Sequence, residues 1–348
     1  CPTPAGESTE SVEAVTELVD SFYRDREDVL TRGDGTRNRR STATGEEPTI
    51  VRPADADSIE QAYVGPGIPV GASKMTVDAY YRRLDFQPSA EPLIDVTVVC
   101  NDREMSDENV VSEIYGTRDW IDFDIRFVEQ LTTAELRDLL GTETDFLHYI
   151  GHVDDEGIRC VDGYLDARRL DEVNVSAFFL NACASYDQGR GLVDNGAIGG
   201  IATKTDIINE AATSVGRTVA KLLNEGFSLA ATVRLIQEYE QIGHHYLAIG
   251  DASAYVVENE SGTPHRVVVE DVKDSRCDVS LYGYPNLNNH LGSIFTPMIE
   301  GVSAYSLNAG LMSEHTLPKD DVLQLIHRQE LPVELDGSLR WSSDIEEL

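Results

Sequence analysis

The sequence predicts an α/β protein: a mostly parallel sheet flanked by helices, followed by a small β-rich C-terminal appendage. Three observations carry this. Two runs of strand length, Phe146 to Ile150 and Val175 to Leu180, are almost wholly apolar and rich in aromatic side chains, which is the texture of strands covered on both faces. From Pro92 to Ile249 such runs alternate with segments of helical spacing, the pattern of a largely parallel sheet. Beyond Ala254 the texture changes to short apolar pieces separated by Gly, Asn and Pro.

Ser11 to Leu30 places Val12, Val15, Leu18, Val19, Phe22 and Val29 at near-helical spacing, predicting an amphipathic helix. Thr31 to about Thr49 is polar and rich in Gly, Arg and Thr, a loop or linker. Ile50 to Pro69 permits only short extended pieces. Met75 to Leu84 reads as a short helix with Val77, Tyr80 and Leu84 on one side. The organised part then begins: a strand at Ile94 to Cys100, a helix at Asp107 to Tyr115, and a strand at Ile121 to Glu129. The helix from Thr132 to Leu140 carries a capping-box pattern in Thr132 and Glu135. After the Phe146 strand, Gly157 to Leu165 reads as a hairpin around Asp162 and Gly163, and Asp166 to Val173 as a helical turn. The Val175 strand follows, then a strand at Ile198 to Thr203. The helix from Asn209 to Asn224 is stopped by Gly226, Ser228 caps another to about Tyr239, and Tyr246 to Ile249 is a last strand. In the appendage, Val256 and Val257, Val267 to Val269, Val279 to Tyr282 and Val302 to Leu307 read as strands, and Lys319 to Arg328 as a helix. The expected divisions are 1–90 (helical and loop-rich extension), 91–256 (α/β domain) and 257–348 (appendage).

Acidic residues number 62 against 28 basic ones, a formal net charge of −34 over 348 residues. Such a surface repels nucleic acid and anionic membrane, so neither is an expected partner. The only lysines are Lys74, Lys204, Lys221, Lys273 and Lys319, and the acidic residues run through the whole chain, a composition that points to adaptation to high internal salt. At molar salt the Debye length is ~3 Å, which screens this self-repulsion. The five cysteines (Cys1, Cys100, Cys160, Cys183 and Cys277) show no disulfide or zinc spacing, so the reading expects a reducing cytoplasm and neither metal nor cofactor. No apolar run reaches the ~20 residues of a membrane span. The chain starts at Cys1, which reads as a cropped or processed terminus, with a lipid-anchored terminus as the alternative.

Two residues stand just past the buried strands. His152 follows Phe146 to Ile150, and Cys183 follows Val175 to Leu180. In parallel sheets reactive groups collect beyond the carboxyl ends of strands, so parallel neighbours would bring the two face to face as a nucleophile and its base. The competing fate of Cys183 is a buried structural cysteine, and that of His152 a satisfied, partly buried histidine. His148, in the same strand, is expected to pack within the sheet. Cys160 is expected to pack in the hairpin, and a metal site at the adjacent pair His244 and His245 is not expected.

The order of these pieces resembles the CHAT group of the caspase-like cysteine peptidase superfamily, related to caspases and separase. His148-Tyr149-Ile150-Gly151-His152 matches the group's His-x-x-x-His strand end, and Asn181-Ala182-Cys183 its small-residue-Cys signature. Gly196 to Ala202 is similar to its Gly-Ala strand, Asn224 to Ala230 to its paired-helix junction, and Ile249-Gly250-Asp251 to its closing Gly-Asp. The resemblance covers Pro92 to Val256. It implies a caspase-like sheet and a cysteine endopeptidase in which His152 deprotonates Cys183. It also implies an oxyanion hole from the backbone N–H groups of Val153 and Cys183, a peptide or protein substrate, and a regulatory partner or domain. Asp187 and Asp154, with Asp155 and Asp162, lie near the implied crevice as candidates to receive a basic side chain, although solvated charge is the commoner fate of each. Two departures stand out: Val153 occupies a place where the group usually has Gly, and the interval from His152 to Cys183 is short. The alternative reading is a catalytically silent caspase-like scaffold or sensor.

Overall fold

The computed structural model of the chain describes residues 49–54, 58–86, 93–102, 114–118, 121–207, 209–273, 275–286, 289–299, 302–308 and 310–348. The expected helix at Ser11 to Leu30, nearly all of the polar stretch after it and most of the expected helix at Asp107 to Tyr115 lie outside these residues.

The N-terminal part contributes β1 (Ile50–Val51), β2 (Ala62–Tyr63), β3 (Ile68–Pro69), β4 (Ser73–Lys74) and helix α1 (Val77–Asp85). Then come β5 (Leu93–Cys100), β6 (Asp122–Glu129), α2 (Thr133–Leu140), β7 (Thr144–Ile150), β8 (Val153–Asp154), β9 (Gly157–Cys160), β10 (Gly163–Leu165) and β11 (Val175–Asn181). The α/β part closes with α3 (Tyr186–Asp194), β12 (Gly199–Thr203), α4 (Asn209–Asn224), α5 (Leu229–Tyr239) and β13 (Tyr246–Gly250). Eight of these strands form one sheet in the order β2-β4-β13-β12-β11-β7-β5-β6. Five neighbours, β12, β11, β7, β5 and β6, run parallel, and β13 is antiparallel to β12. The reversal has a simple cause. The connections between the parallel strands carry the chain back to the starting end of the sheet, whereas α4 and α5, between β12 and β13, lead out and return, so β13 begins where β12 ended.

Both faces of the sheet are covered, as the apolar strand texture requires. Alternation along β5 sends Val96 and Val98 to the side of α4 and α5, and Val99 to the side of α2 and α3. Phe179 and Phe178 divide in the same way on β11. Gly200 on β12 makes room for Phe178: a Cβ there would lie 2.3–2.5 Å from three atoms of its ring. The expected helix signals hold. Thr132 and Glu135 form the reciprocal capping box of α2, Ser228 Oγ accepts from the Ala231 N–H, and Gly226 takes a left-handed φ of 82°.

Helix α1 has the expected sidedness. Its apolar residues Val77, Tyr80 and Leu84 do share a side, but that side faces solvent, with Val77 53% and Leu84 50% exposed. The helix docks instead through Ala79, through Arg82, whose guanidinium donates to the carbonyls of Val193 and Ala197, and through Arg83, paired with Asp251 at 2.6 Å. Carbonyls at the end of α3 and the turn before β12 need donors, and Arg82 satisfies them.

A second sheet is built from β14 (His265–Glu270), β15 (Arg276–Gly283), β18 (Gly310–Pro318), β19 (Pro332–Leu335) and β20 (Ser338–Trp341), in the order β18-β15-β14-β19-β20. Helix α6 (Lys319–Ile326) covers its core, and β16 (Ile294–Phe295) pairs with β17 (Ser306–Leu307). Val256 and Val257, expected as a strand, are irregular, and β18, β19 and β20 were not expected. Among the described residues no helix is long and apolar enough to cross a membrane.

Candidate active site

Strand register fixes the geometry. Cys100 on β5 and Asn181 on β11 are both partnered with Ile150 on β7, which lies between them. Two residues beyond this common line, each strand ends in a group able to do chemistry: Asp102, His152 and Cys183. Adjacent strands lie about 4.8 Å apart, so His152 follows the strand that lies between those leading to Asp102 and Cys183, at the carboxyl end of the parallel block. His152 Nε2 lies 2.6 Å from Asp102 Oδ2, with the side chains 36% and 11% exposed. Asp102 carries no mark of its own in the sequence, where it is one of 62 acidic residues. Its offset of two past a buried strand, shared with His152 and Cys183, is the signal that would have found it.

Each strand end is pinned from behind. The Asn101 amide donates to the Arg159 carbonyl at 3.1 Å, and its oxygen accepts from the Leu131 N–H at 2.8 Å. Behind His152, the fully buried Tyr149 hydroxyl donates to the Arg159 carbonyl at 2.8 Å and lies 3.3 Å from the carbonyl of His152. Burial pushes that phenol well above its ordinary pKa, so it remains a donor. Gly151 lets the chain pass over it, since a Cβ there would stand 2.7 Å from the Tyr149 hydroxyl oxygen. Asn181 is fully buried, donating to the Ala212 carbonyl at 3.0 Å and accepting from the Tyr246 hydroxyl at 2.8 Å.

Cys183 opens a sharp strand-to-helix turn. Ala184 has a φ of 44°, a left-handed conformation uncommon outside Gly, and α3 starts two residues later. The half-buried thiol lies against the Ile207 peptide, with Sγ 3.4 Å from both its N–H nitrogen and its carbonyl oxygen. Val153 pairs with Ile158 in the small sheet of β8, β9 and β10. Since Arg159 donates to the His152 carbonyl, Val153 occupies the position whose N–H points away from β9.

The remaining candidates take varied places. His148 is fully buried, 3.3 Å from the Tyr115 hydroxyl, with its ring 4.7 Å from that of Phe179, so it packs as expected. Cys160 is buried in the hairpin, and desolvation pushes its thiol up to about 11. Asp162 accepts from the Thr133 N–H and hydroxyl and thereby holds the start of α2. Asp154 accepts from the Glu156 N–H within its own turn, and the Asp155 carbonyl receives Arg168. Asp187, in the first turn of α3, is exposed beside a shallow depression with Arg168 and Arg190. His244 and His245 lie in a 3-10 turn, not on a strand, where His245 Nδ1 meets the Thr205 hydroxyl. Among the described residues no group of three or more His, Cys, Asp or Glu is arranged to hold a metal ion.

No protein-family model matches the chain, and no curated protein matches it. Among solved structures, a complex of the Porphyromonas gingivalis RgpB pro- and mature domains aligns over 68% of this chain and 66% of its own, with a TM-score of 0.42 and 11% identity. The Arg-specific cysteine proteinase gingipain R aligns over 68% and 65%, with the same TM-score and identity. A third structure, of a protease, aligns over 68% and 64% with a TM-score of 0.40 and 11% identity. The chain thus spans just under two thirds of each of these proteins, and likeness of this degree does not bear on what this chain does.

Proposed function

We propose that the chain is a cysteine endopeptidase of caspase-like, CHAT type, with Cys183 as nucleophile and His152 as general base. The observation that supports it most is the alignment of Asp102, His152 and Cys183 on one line across three parallel strands, with His152 Nε2 held at 2.6 Å by Asp102. With Nε2 so engaged, Nδ1 is the nitrogen left to take the thiol proton. The thiolate attacks the carbonyl carbon of a peptide, and the oxyanion is received by the backbone N–H groups of Val153 and Cys183, close to the N-terminal end of α3, where negative charge is favoured. His152 then returns its proton to the leaving amine. Water hydrolyses the thioester and frees Cys183. Asp102 holds the imidazole in the required orientation and offsets its charge after proton transfer. The substrate in this reading is a peptide or protein, with Asp154 and Asp187 as candidate contacts for a basic side chain, and regulation falls to a partner or companion domain.

The second reading, a catalytically silent caspase-like scaffold, is favoured by Val153 and by the Ile207 peptide, which occupies the thiol. Hydrolysis of a mixed peptide library in multimolar KCl separates the two. Cleavage abolished by Cys183→Ala supports the peptidase; cleavage unchanged by that substitution, or absent from the parent protein, supports the scaffold.

A further inference from the structure

Parallel pairing between β11 and β12 ends at Phe179 with Ile201, two residues before either strand is finished. Beyond that point two hydroxyls replace the ladder. Thr203 Oγ1 donates to the Ala182 carbonyl and accepts from the Ser185 N–H at 3.1 Å. Ser185 Oγ donates to the Leu180 carbonyl at 3.1 Å and accepts from the Thr203 N–H at 3.0 Å. Each hydroxyl proton is thereby committed to a carbonyl, so the 3.2 Å contact between the two oxygens is side-by-side packing. Both residues are fully buried. The bonds fall on the residues either side of the Cys183-Ala184 step, on the Ala182 carbonyl and the Ser185 N–H.

That step needs holding. A left-handed non-glycine residue costs of order 1–2 kcal/mol, and the Ala184 N–H donates to the Thr205 carbonyl at 3.0 Å. Ser185 stands at the N-cap of α3 yet makes no side-chain cap bond to the helix, because its hydroxyl is turned toward Leu180. A residue type that ordinarily caps a helix is used here to fasten the turn to the preceding strand.

We propose that Thr203 is a positioning residue for Cys183, whose hydroxyl, through Ala182 and Ser185, sets where Sγ stands relative to His152. Its catalytic consequence rests on the peptidase reading; its effect on the cysteine itself does not. Thr203→Val removes the hydroxyl at nearly constant shape, and Thr203→Ser retains it.

The test measures peptide hydrolysis and the rate of Cys183 alkylation by iodoacetamide, read by peptide mass mapping, with folding followed by circular dichroism. A displacement of Sγ of about 1 Å costs roughly 100-fold in rate. Thr203→Val is therefore expected to lower kcat by roughly 10–100-fold with KM little changed, and to alter the Cys183 alkylation rate, while Thr203→Ser behaves like the parent. If Thr203→Val does not fold, Ser185→Ala, which unfastens the same turn from Leu180, must show the same split between kcat and KM. Equal kcat in parent and valine variant, or equal losses in the valine and serine variants, overturns the proposal. If the parent protein cleaves nothing, the peptidase reading fails by itself. The positioning role then stands or falls on whether Thr203→Val, and not Thr203→Ser, changes Cys183 labelling.

Discussion

Replacing Asp102 by alanine removes the only acidic partner among the described residues placed within ion-pair distance of His152, and its effect can be sized from the geometry. The Nε2 to Oδ2 distance of 2.6 Å is that of a close ion pair, to which Asp102 contributes a side chain only 11% exposed, and a hydrogen bond to a charged group sets the upper limit of its strength. Such bonds contribute about 1.5–3 kcal/mol, against about 0.5–1.5 for a neutral pair. The bond is strongest once His152 has taken the thiol proton, so its loss falls on the step that forms the thiolate and appears in kcat. At about 1.4 kcal/mol per decade, Asp102→Ala should slow turnover by roughly 10–150-fold. Because the His152 side chain is 36% exposed and water can replace part of the bond, the lower half of that range is expected. Asp102→Asn retains a neutral acceptor and should cost less, roughly 5–12-fold. Initial rates of peptide hydrolysis, and in parallel the rate of Cys183 alkylation, measure both variants. Parent and Asp102→Ala proteins that react equally fast would refute a catalytic role for the pair, whatever the distance between them.

Two further predictions concern the scaffold. Gly200→Ala drives a Cβ to within 2.3–2.5 Å of the buried Phe178 ring, so it should destabilise by about 1–3 kcal/mol or more, read as a lower denaturant midpoint; an unchanged midpoint contradicts the packing. Glu225, 5% exposed, has its carboxyl raised to about 7 by burial, against the opposing pull of Arg118. A raised acid stabilises the fold fully below its unfolded value near 4.5, and that contribution is lost as pH climbs through 7. Glu225→Gln should therefore remove about 3 kcal/mol of the decline in unfolding free energy between pH 4.5 and 7, and an unaltered pH profile would contradict the assignment.

The parts of the fold legible in the sequence are those in which local chemistry dictates local structure. Thr132 with Glu135, Ser228 and Gly226 mark helix ends through bonds and dihedrals that involve their near neighbours. The aromatic runs of β7 and β11 mark buried strands, and from them His152 and Cys183 follow as strand-end residues on parallel neighbours. What depends on distant partners was not legible. The stripe of Val77, Tyr80 and Leu84 marks a helix but not the face that docks, which is settled by carbonyls more than a hundred residues away. The direction of β13 depends on the return path through α4 and α5. Strand β18 has no apolar run of its own and reads MSEHT through its middle, because one of its faces is open to solvent. Asp102 carries no local mark, since an aspartate after a strand is ordinary in so acidic a chain. Thr203 and Ser185 are also common residue types, and their role exists only where β11 and β12 meet.

Whether Cys183 and His152 form one chemical unit is tested most directly by alkylation of the intact protein in multimolar KCl near neutral pH. Cys100 and Cys277 are buried, and Cys160, its thiol raised to about 11, should react slowly, which leaves Cys183 as the half-buried thiol among the described cysteines. Among the four described cysteines, labelling should concentrate at Cys183 and be slowed at least tenfold by His152→Ala, about 1.4 kcal/mol of lost activation. Labelling of Cys183 at the same rate with and without the imidazole would contradict it.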